Sequence, residues 1–159
     1  MISGGSPIAY IETYDIRAAR WYSHPALEDT APRAYHGLAA LGEVMYIIGG
    51  FDGSQYYNNV KCFNARTKVW KDVAPMYTQR CYVSTAVANG LIYACGGYDG
   101  RYRLASAERY NSQRNQWSQI ESMHERRSDA GADVLHGMSL QCNQSYNNAV
   151  VLYCICAFI

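Results

Sequence analysis

Two stretches of the chain decide its fold, because they repeat one another. Residues 44–70 read VMYIIGGFDGSQYYNNVKCFNARTKVW, and residues 91–117 read LIYACGGYDGRYRLASAERYNSQRNQW. At an offset of 47 residues, segments 33–79 and 80–126 share eleven identical positions. About three identities would be expected by chance at usual residue frequencies. The shared positions fall mainly on glycines and aromatic residues, which fix backbone shape or fill cores.

The repeated motif is a double glycine, then an aromatic residue, then a tryptophan seven residues after that aromatic. Tyr14 and Trp21 show the same seven-residue spacing further upstream. These structural positions are Gly49, Gly50, Phe63 and Trp70 in the first unit, Gly96, Gly97, Tyr110 and Trp117 in the second, and Tyr14 and Trp21 before them.

The motif predicts five segments along the chain. Residues 1–32 are the C-terminal half of a truncated unit with its linker, 33–79 and 80–126 are complete repeats, and 127–137 begin a further repeat. The motif then ends, because the glycine pair due at 143–144 is Asn-Gln. Residues 138–159 form a divergent apolar tail, which is typical either of a real isoform or of a splice, frameshift or gene-model artefact. The tail could also lie over one open face.

Each complete repeat predicts four short strands. They cover residues 36–41, 44–48, 59–64 and 69–73 in the first unit, and 82–87, 91–95, 106–110 and 116–120 in the second. Four strands in a unit of 40–50 residues indicate one blade of a β-propeller. The predicted fold is therefore all-β: a partial propeller with two full four-stranded blades and incomplete blades at each end.

Composition narrows the class of protein. The chain has 159 residues with 49% hydrophobic and 17% charged residues, which suits one globular domain. A net charge of +1 argues against nucleic acid as a partner. The N-terminus lacks a signal peptide pattern, and the longest apolar run, 149–159, is shorter than the roughly 18 residues of a spanning helix. We therefore expect a cytoplasmic protein without a membrane partner. Its six cysteines are then reduced thiols, with disulfides as the less favoured alternative.

Motifs for catalysis are absent from the sequence. The four histidines have no metal-ligand spacing, and neither a GxSxG elbow nor a phosphate-binding GxGxxG or GxxxxGK[ST] loop occurs. We therefore predict no catalytic residues, no metal and no cofactor, and a protein that is not an enzyme.

The motif residues resemble kelch repeats, and among these the propellers of the kelch-like BTB–BACK–kelch proteins. The resemblance implies a substrate adaptor, in which a BTB domain binds Cullin-3 and a six-bladed kelch propeller captures the protein to be ubiquitinated. Some kelch propellers bind actin instead, and this remains the alternative. The sequence holds no BTB or BACK region, so we expect any contact with Cullin-3 to run through regions absent here.

The resemblance also implies where a protein substrate binds. One set of positions lies two residues after a recurring arginine, at the start of the innermost strand, and the other follows the double glycine. They are Tyr35, Tyr82 and Asp129, and Phe51, Ser54, Tyr98, Arg101, Tyr102 and Arg103. Tyrosine and arginine are frequent anchors of protein interfaces.

Two groups of repeated polar residues have competing interpretations. Asp52 and Asp99 precede glycines, which favours turn capping over binding. The recurring arginines, Arg33, Arg80 and Arg127, could contact substrate. The planar guanidinium fork also suits fixed bonds to carbonyls or carboxylates between blades, and this structural role is favoured.

Overall fold

The computed structural model describes residues 11–24, 33–135 and 151–155, and within them the chain forms only strands, bridges and turns. Twelve strands of five residues each follow one another. They are β1 (Ile11–Asp15), β2 (Arg20–His24), β3 (Gly37–Leu41), β4 (Val44–Ile48), β5 (Val60–Asn64), β6 (Val69–Val73), β7 (Ser84–Ala88), β8 (Leu91–Cys95), β9 (Ala107–Asn111), β10 (Gln116–Ile120), β11 (Gly131–Leu135) and β12 (Val151–Ile155).

Eight of these strands form two antiparallel four-stranded sheets, which confirms the predicted fold class. Blade 1 has the order β3-β4-β5-β6, and blade 2 has the order β7-β8-β9-β10. The aromatic and tryptophan of the motif lie directly opposite each other on the two outer strands, as Phe63↔Trp70 and Tyr110↔Trp117. Their ring centroids are 5.1 Å apart in both blades. Equivalent sequence positions therefore occupy equivalent places.

The remaining four strands form two half-blades. The β1–β2 hairpin matches the outer half of a blade, with Tyr14 opposite Trp21 and their rings 5.2 Å apart. The β11–β12 pair matches the inner half, because Gly131↔Ile155 repeats the pairing Ser84↔Cys95. Strand β12 belongs to the segment that departs from the motif in sequence. It joins the edge of β11 rather than covering an open face.

The innermost strands begin later than the sequence predicts. The predicted strands 36–41 and 82–87 correspond to β3 and β7, which start at Gly37 and Ser84. The delay in the second unit has a backbone cause, because Tyr82 has φ of 51° and a residue in this left-handed region cannot continue a strand. The third strands also start one residue late, at Val60 and Ala107.

The core lies within the blades and between them. The Trp117 side chain is 2% exposed, and its indole N–H donates to the carbonyl oxygen of Ala74 in blade 1 at 2.9 Å. Tyr110 is buried edge-on against Tyr46, with centroids 5.7 Å apart. A buried aromatic side chain stabilises an interface through the apolar area that it buries, and its hydrogen-bonded polar atom fixes the orientation of the ring. The blade interface therefore rests on motif residues.

The innermost strands lie side by side, as expected around a propeller axis. The Thr85 hydroxyl donates to the Leu38 carbonyl at 2.6 Å, and the Ser84 hydroxyl donates to the Ala130 carbonyl at 2.6 Å. Side chains of β7 thus bridge to β3 on one side and to the segment entering β11 on the other. The three innermost strands, β3, β7 and β11, therefore lie next to one another in that order.

The double glycines form hydrogen bonds with the first residue of the next repeat. The Gly50 N–H donates to the Arg80 carbonyl at 2.8 Å, and the Gly97 N–H donates to the Arg127 carbonyl at 2.8 Å. A Cβ on Gly49, which has φ of 65°, would overlap the same Arg80 oxygen. Only glycine permits both this φ and this approach. The glycine pair is therefore a backbone contact point between successive blades.

Within the described ranges, we find no helix whose length and apolarity would let it cross a membrane.

Candidate functional site

Two of the three recurring arginines, Arg33 and Arg80, differ in their partners. Arg80 is fully buried, and its guanidinium donates to the carbonyls of Gly96 at 2.7 Å and Ser106 at 2.9 Å. It also forms an ion pair with Glu108 at 3.0 Å. Arg33 donates to the Gly49 carbonyl at 3.1 Å and lies 4.4 Å over the ring of Tyr57. These contacts support the structural role for Arg33 and Arg80, and the burial of Arg80 keeps its guanidinium away from any surface.

Glu108 is a key residue that the sequence reasoning missed. Its carboxylate is fully buried and accepts from the backbone N–H groups of Tyr77 at 2.8 Å and Thr78 at 3.1 Å, besides its pairing with Arg80. It therefore ties the connection between the blades to the centre of blade 2. The available signal was an acidic residue at the position where the first repeat has Lys61.

We call the surface formed by Tyr35, Tyr82 and Asp129 the channel mouth, because these residues precede the innermost strands, which would surround the axis of a propeller. Their φ values are 57°, 51° and 56°. The Tyr82 N–H donates to the Tyr35 carbonyl at 2.8 Å, and the Asp129 N–H donates to the Tyr82 carbonyl at 3.0 Å. A left-handed conformation costs a non-glycine residue roughly 1–2 kcal/mol. Tyr82 and Asp129 each bear this cost while their N–H groups donate to the preceding repeat, so backbone strain is concentrated at the channel mouth.

The tyrosine side chains of the channel mouth form a stacked pair. The rings of Tyr35 and Tyr82 lie 4.2 Å apart, and Tyr35 is 40% exposed. Burial, together with the hydrogen bond to Tyr35, raises the pKa of Tyr82 to about 12. The Tyr82 phenol is therefore neutral at physiological pH. Because Tyr35 is exposed and Tyr82 is half-buried, the pair presents an aromatic surface next to the exposed Asp129.

The loops after the double glycines lie at the same end of the blades as the channel mouth. Bridges connect Ala34 to Phe51 and Cys81 to Tyr98, so each loop is attached to the segment that enters the innermost strand. Phe51 stacks on Tyr56 at 4.4 Å, and Tyr56 meets the edge of Tyr98 at 5.7 Å. These half-buried rings join the loops of the two blades. The structure thus brings both predicted sets of residues together.

The two loop aspartates cap turns, as the sequence favoured. The Asp52 carboxylate accepts from the N–H groups of Ser54 at 2.8 Å and Gln55 at 2.7 Å, and from the hydroxyls of Tyr57 and Ser54. The Tyr57 hydroxyl first, and then these N–H groups, hold the pKa of Asp52 well below its usual range. Asp99 accepts from Arg101 and Tyr102 N–H groups at 2.7 Å each. Ser54 is therefore part of a turn cap and is also exposed to solvent.

The blade 2 loop carries the exposed rim, made of Arg101, Tyr102 and Arg103. All three side chains are exposed, with Tyr102 at 59%. Arg126 lies over the Tyr102 ring at 5.7 Å. A planar cation beside an exposed aromatic ring can take up a carboxylate, a carbonyl or another ring from a partner.

Among the described residues, no three His, Cys, Asp or Glu side chains are close enough to hold a metal ion. Beneath the channel mouth, His36 is half-buried, and its Nδ1 has no partner among the described groups. Burial, and then the charge of Arg33, lowers the pKa of His36, so the ring is neutral at physiological pH.

Comparison with known families agrees with this architecture. A family model described as the KLHDC2/KLHL20/DRC7 Kelch-repeats domain matches residues 5–146. The chain belongs to this kelch-repeat family.

Several curated proteins match part of the chain. The Caenorhabditis elegans "Kelch repeat-containing protein kel-10" is 37% identical over 81 residues, which cover 47% of this chain and 13% of that protein. The C. elegans "Kelch repeat and BTB domain-containing protein F47D12.7" is 35% identical over 81 residues, with the same coverage. Human "Kelch-like protein 4" is 35% identical over 66 residues, or 42% of this chain and 9% of that protein. The matched segment thus spans between 9% and 13% of the length of these relatives.

Proposed function

We propose that this chain is part of the substrate-recognition propeller of a cytoplasmic Cullin-3 ubiquitin ligase adaptor, and that the channel mouth and exposed rim bind a segment of the protein substrate. Kelch repeats are generally interaction modules rather than catalysts, which is in keeping with the chemistry of the mouth. The name of one relative includes a BTB domain. In the kelch-like BTB–BACK–kelch adaptors that this sequence resembles, the BTB domain binds Cullin-3. The stretches GGYDG and AERYNSQRNQW, at 96–100 and 107–117, carry a finer resemblance to kelch-like protein ten, the germ-cell member.

One observation carries the choice of binding surface. Two tyrosines and an aspartate at the same repeat position all adopt the left-handed conformation, and the tyrosine rings stack at the channel mouth. Backbone strain that recurs beside an exposed aromatic pair is typical of a functional surface. The exposed guanidinium groups of Arg101 and Arg103 add the anchors that protein interfaces favour.

A photo-crosslinking experiment identifies what the surface touches. In the test protein, a photoreactive amino acid replaces Tyr82. In the matched control, it replaces Asn89, which lies in the two-residue turn at the opposite end of blade 2. We expect the Tyr82 probe to capture a protein that the Asn89 probe does not. A peptide from that protein should then bind the purified chain in a fluorescence anisotropy titration.

Substitution of the surface then tests the assignment. We expect Tyr82→Ala/Arg101→Ala/Arg103→Ala to weaken peptide binding at least tenfold, because each anchor contributes more than about 1 kcal/mol. The melting temperature should stay within a few degrees. The control Lys68→Ala/Gln113→Ala/Arg114→Ala, at the opposite end of the blades, should bind as the unmodified chain does. Equal binding by both triple variants would contradict the proposed surface, and loss of folding would assign the three residues to the scaffold.

Binding to Cullin-3 and to actin is tested separately. We expect the purified chain not to bind Cullin-3, since the resemblance assigns that contact to BTB and BACK regions. In co-sedimentation with filamentous actin, the chain should stay in the supernatant. Sedimentation that the surface variants do not change would support the actin alternative.

A further inference from the structure

Three exposed arginines accompany Tyr102 at the loop end of blade 2. Arg101 and Arg103 flank it in the exposed rim, and the guanidinium of Arg126 lies 5.7 Å from its ring centroid. Among the described residues, no carboxylate comes within ion-pair distance of these three guanidinium groups. The acidic residue of this loop, Asp99, accepts two N–H groups of its own turn instead. The exposed rim therefore presents unpaired positive charge.

The channel mouth combines aromatic rings with a negative charge. Asp129 is exposed, and its backbone N–H donates to the Tyr82 carbonyl at 3.0 Å. Burial is the main cause that raises the pKa of Tyr82 to about 12, and the charge of Asp129 adds to it, so the carboxylate lies near the Tyr82 phenol. An aromatic ring beside a carboxylate attracts a cation through the ring quadrupole and through the charge. The channel mouth therefore suits an ammonium or guanidinium group.

Backbone pairing fixes the distance between the two charged regions. A bridge pairs Leu104 with Arg127, and the Arg127 N–H donates to the Leu104 carbonyl at 3.0 Å. Leu104 directly follows Arg103, and Arg127 precedes Asp129 by two residues. The Cα atoms of Arg103 and Asp129 are therefore at most about 17 Å apart, since paired residues lie within about 5.5 Å and consecutive Cα atoms within about 3.8 Å. An extended segment covers that distance in about five residues.

The loop that carries the exposed rim is held by blade 1 as well as by its own turn. The Tyr56 ring of blade 1 lies against Gly100, where an added Cβ would come within 2.8 Å of it. The Gln79 side-chain N–H donates to the Asp99 carbonyl at 2.7 Å. A loop that is already fixed loses little conformational freedom when a partner binds. The spacing of the two charged regions is therefore set before any segment binds.

We propose that this surface selects a substrate segment with two opposite charges, an aspartate or glutamate at the exposed rim and a lysine or arginine at the channel mouth, no more than about five residues apart. We rest this on the proposed function, because it names the chemistry of the segment that the same surface binds. A segment with the charges exchanged places like charges together at both ends, which opposes binding. A uniformly acidic or uniformly basic segment satisfies only one end.

Selection from random peptides tests this charge preference without a known substrate. A phage library that displays random peptides is selected on the purified 159-residue chain. Peptides that also bind Tyr82→Ala/Arg101→Ala/Arg103→Ala are removed. Relative to the starting library, we expect the remaining peptides to converge on an acidic and a basic residue at fixed positions, no more than about five residues apart.

The outcomes of the selection separate this proposal from the proposed function. Peptides that depend on the surface, but converge without one of the two charges, would overturn the charge preference and leave the binding surface in place. If no peptide distinguishes the unmodified chain from the triple alanine variant, the proposed surface and its charge preference both fail.

Charge reversal tests which end holds which charge. In a fluorescence anisotropy titration with the selected peptide of lowest Kd, Arg103→Glu or Asp129→Lys should weaken binding at least about tenfold, because each places like charges together. A lysine in place of the peptide's acidic residue should recover binding to Arg103→Glu. A glutamate in place of its basic residue should recover binding to Asp129→Lys. The control Arg114→Glu, at the opposite end of the blades, should bind as the unmodified chain does.

A milder variant separates charge from backbone conformation. Asp129 has a left-handed φ of 56°, and asparagine tolerates this region as well as aspartate does. We expect Asp129→Asn to weaken binding by a smaller factor than Asp129→Lys, because it removes the charge without reversing it. Recovery of Asp129→Lys by a change at the peptide's acidic residue, or equal binding by all of these variants, would overturn the proposed arrangement.

Discussion

Blade 1 and blade 2 share one strand order and one motif, yet their burial differs. Trp117 of blade 2 is 2% exposed and bonds to Ala74 of blade 1, whereas its counterpart Trp70 is only partly buried. Arg80 of blade 2 pairs with a buried carboxylate, whereas Arg33 of blade 1 borders a cleft of about 520 Å³ that is also lined by Lys61. The difference shows that a blade is completed by the end of the blade before it. The motif residues therefore specify the sheet, and contact with the neighbouring blade buries their side chains.

The largest difference between the blades should come from the buried ion pair. We expect Glu108→Ala to lower the free energy of unfolding by about 3–5 kcal/mol, because it leaves the buried Arg80 charge without a partner. The counterpart substitution Lys61→Ala removes only an ion pair with the exposed Asp72 and should cost less than about 1 kcal/mol. Urea denaturation of the two variants measures both values. Similar losses would contradict the distinction between the blades.

The motif tryptophans should show the next largest difference. We expect Trp117→Ala to lower the free energy of unfolding by about 3–5 kcal/mol, the usual range for a fully buried aromatic side chain. Trp70→Ala should cost about 1–2 kcal/mol, because part of that ring already contacts solvent. The comparison uses the same denaturation measurement. A larger loss for Trp70 would show that blade 1, not blade 2, carries the stable core.

A third difference concerns the residue that follows the channel mouth position, His36 in blade 1 and Val83 in blade 2. His36→Val should raise the free energy of unfolding by about 1–2 kcal/mol at neutral pH, because it removes the unpartnered Nδ1 atom. It should also remove a pH dependence. The folded pKa of His36 is lowered, so the unfolded chain binds a proton more readily.

The sign of this dependence follows from proton linkage. Stability due to His36 is fully present above its unfolded pKa of about 6.5 and is lost as pH falls below that value. Denaturation at pH 7.5 and pH 5.5 should therefore show a loss for the unmodified chain that is smaller in His36→Val. An equal loss in both proteins would contradict the lowered pKa.

Sequence reasoning predicted the parts of the fold that repeat. The glycine pair and the aromatic–tryptophan spacing depend on local backbone and packing requirements, so the offset alone located both sheets. The role of β12 could not be read in the same way. Residues 131–135 keep the repeat register, but a long insertion separates them from residues 151–155. Strand pairing across such a gap is a tertiary property.

The location of the candidate residues followed from the repeat, whereas their backbone conformation did not. Both predicted sets of residues lie at one end of the blades, but the left-handed backbone of Tyr35 and Tyr82 is set by bonds between blades, which no single-repeat pattern encodes. The burial of Glu108 was missed for a related reason. Its partners are the backbone N–H groups of Tyr77 and Thr78, which the motif does not describe.

Hydrogen exchange of the three tryptophan indole N–H groups, followed by NMR, tests the central claim that the two sheets are successive propeller blades. Trp117 is buried and bonded to blade 1, Trp70 is partly buried, and Trp21 is 63% exposed. We expect one indole signal, assigned to Trp117 by its loss in Trp117→Phe, to exchange far more slowly than the other two. Equally fast exchange of all three signals would contradict the packing of blade 2 on blade 1.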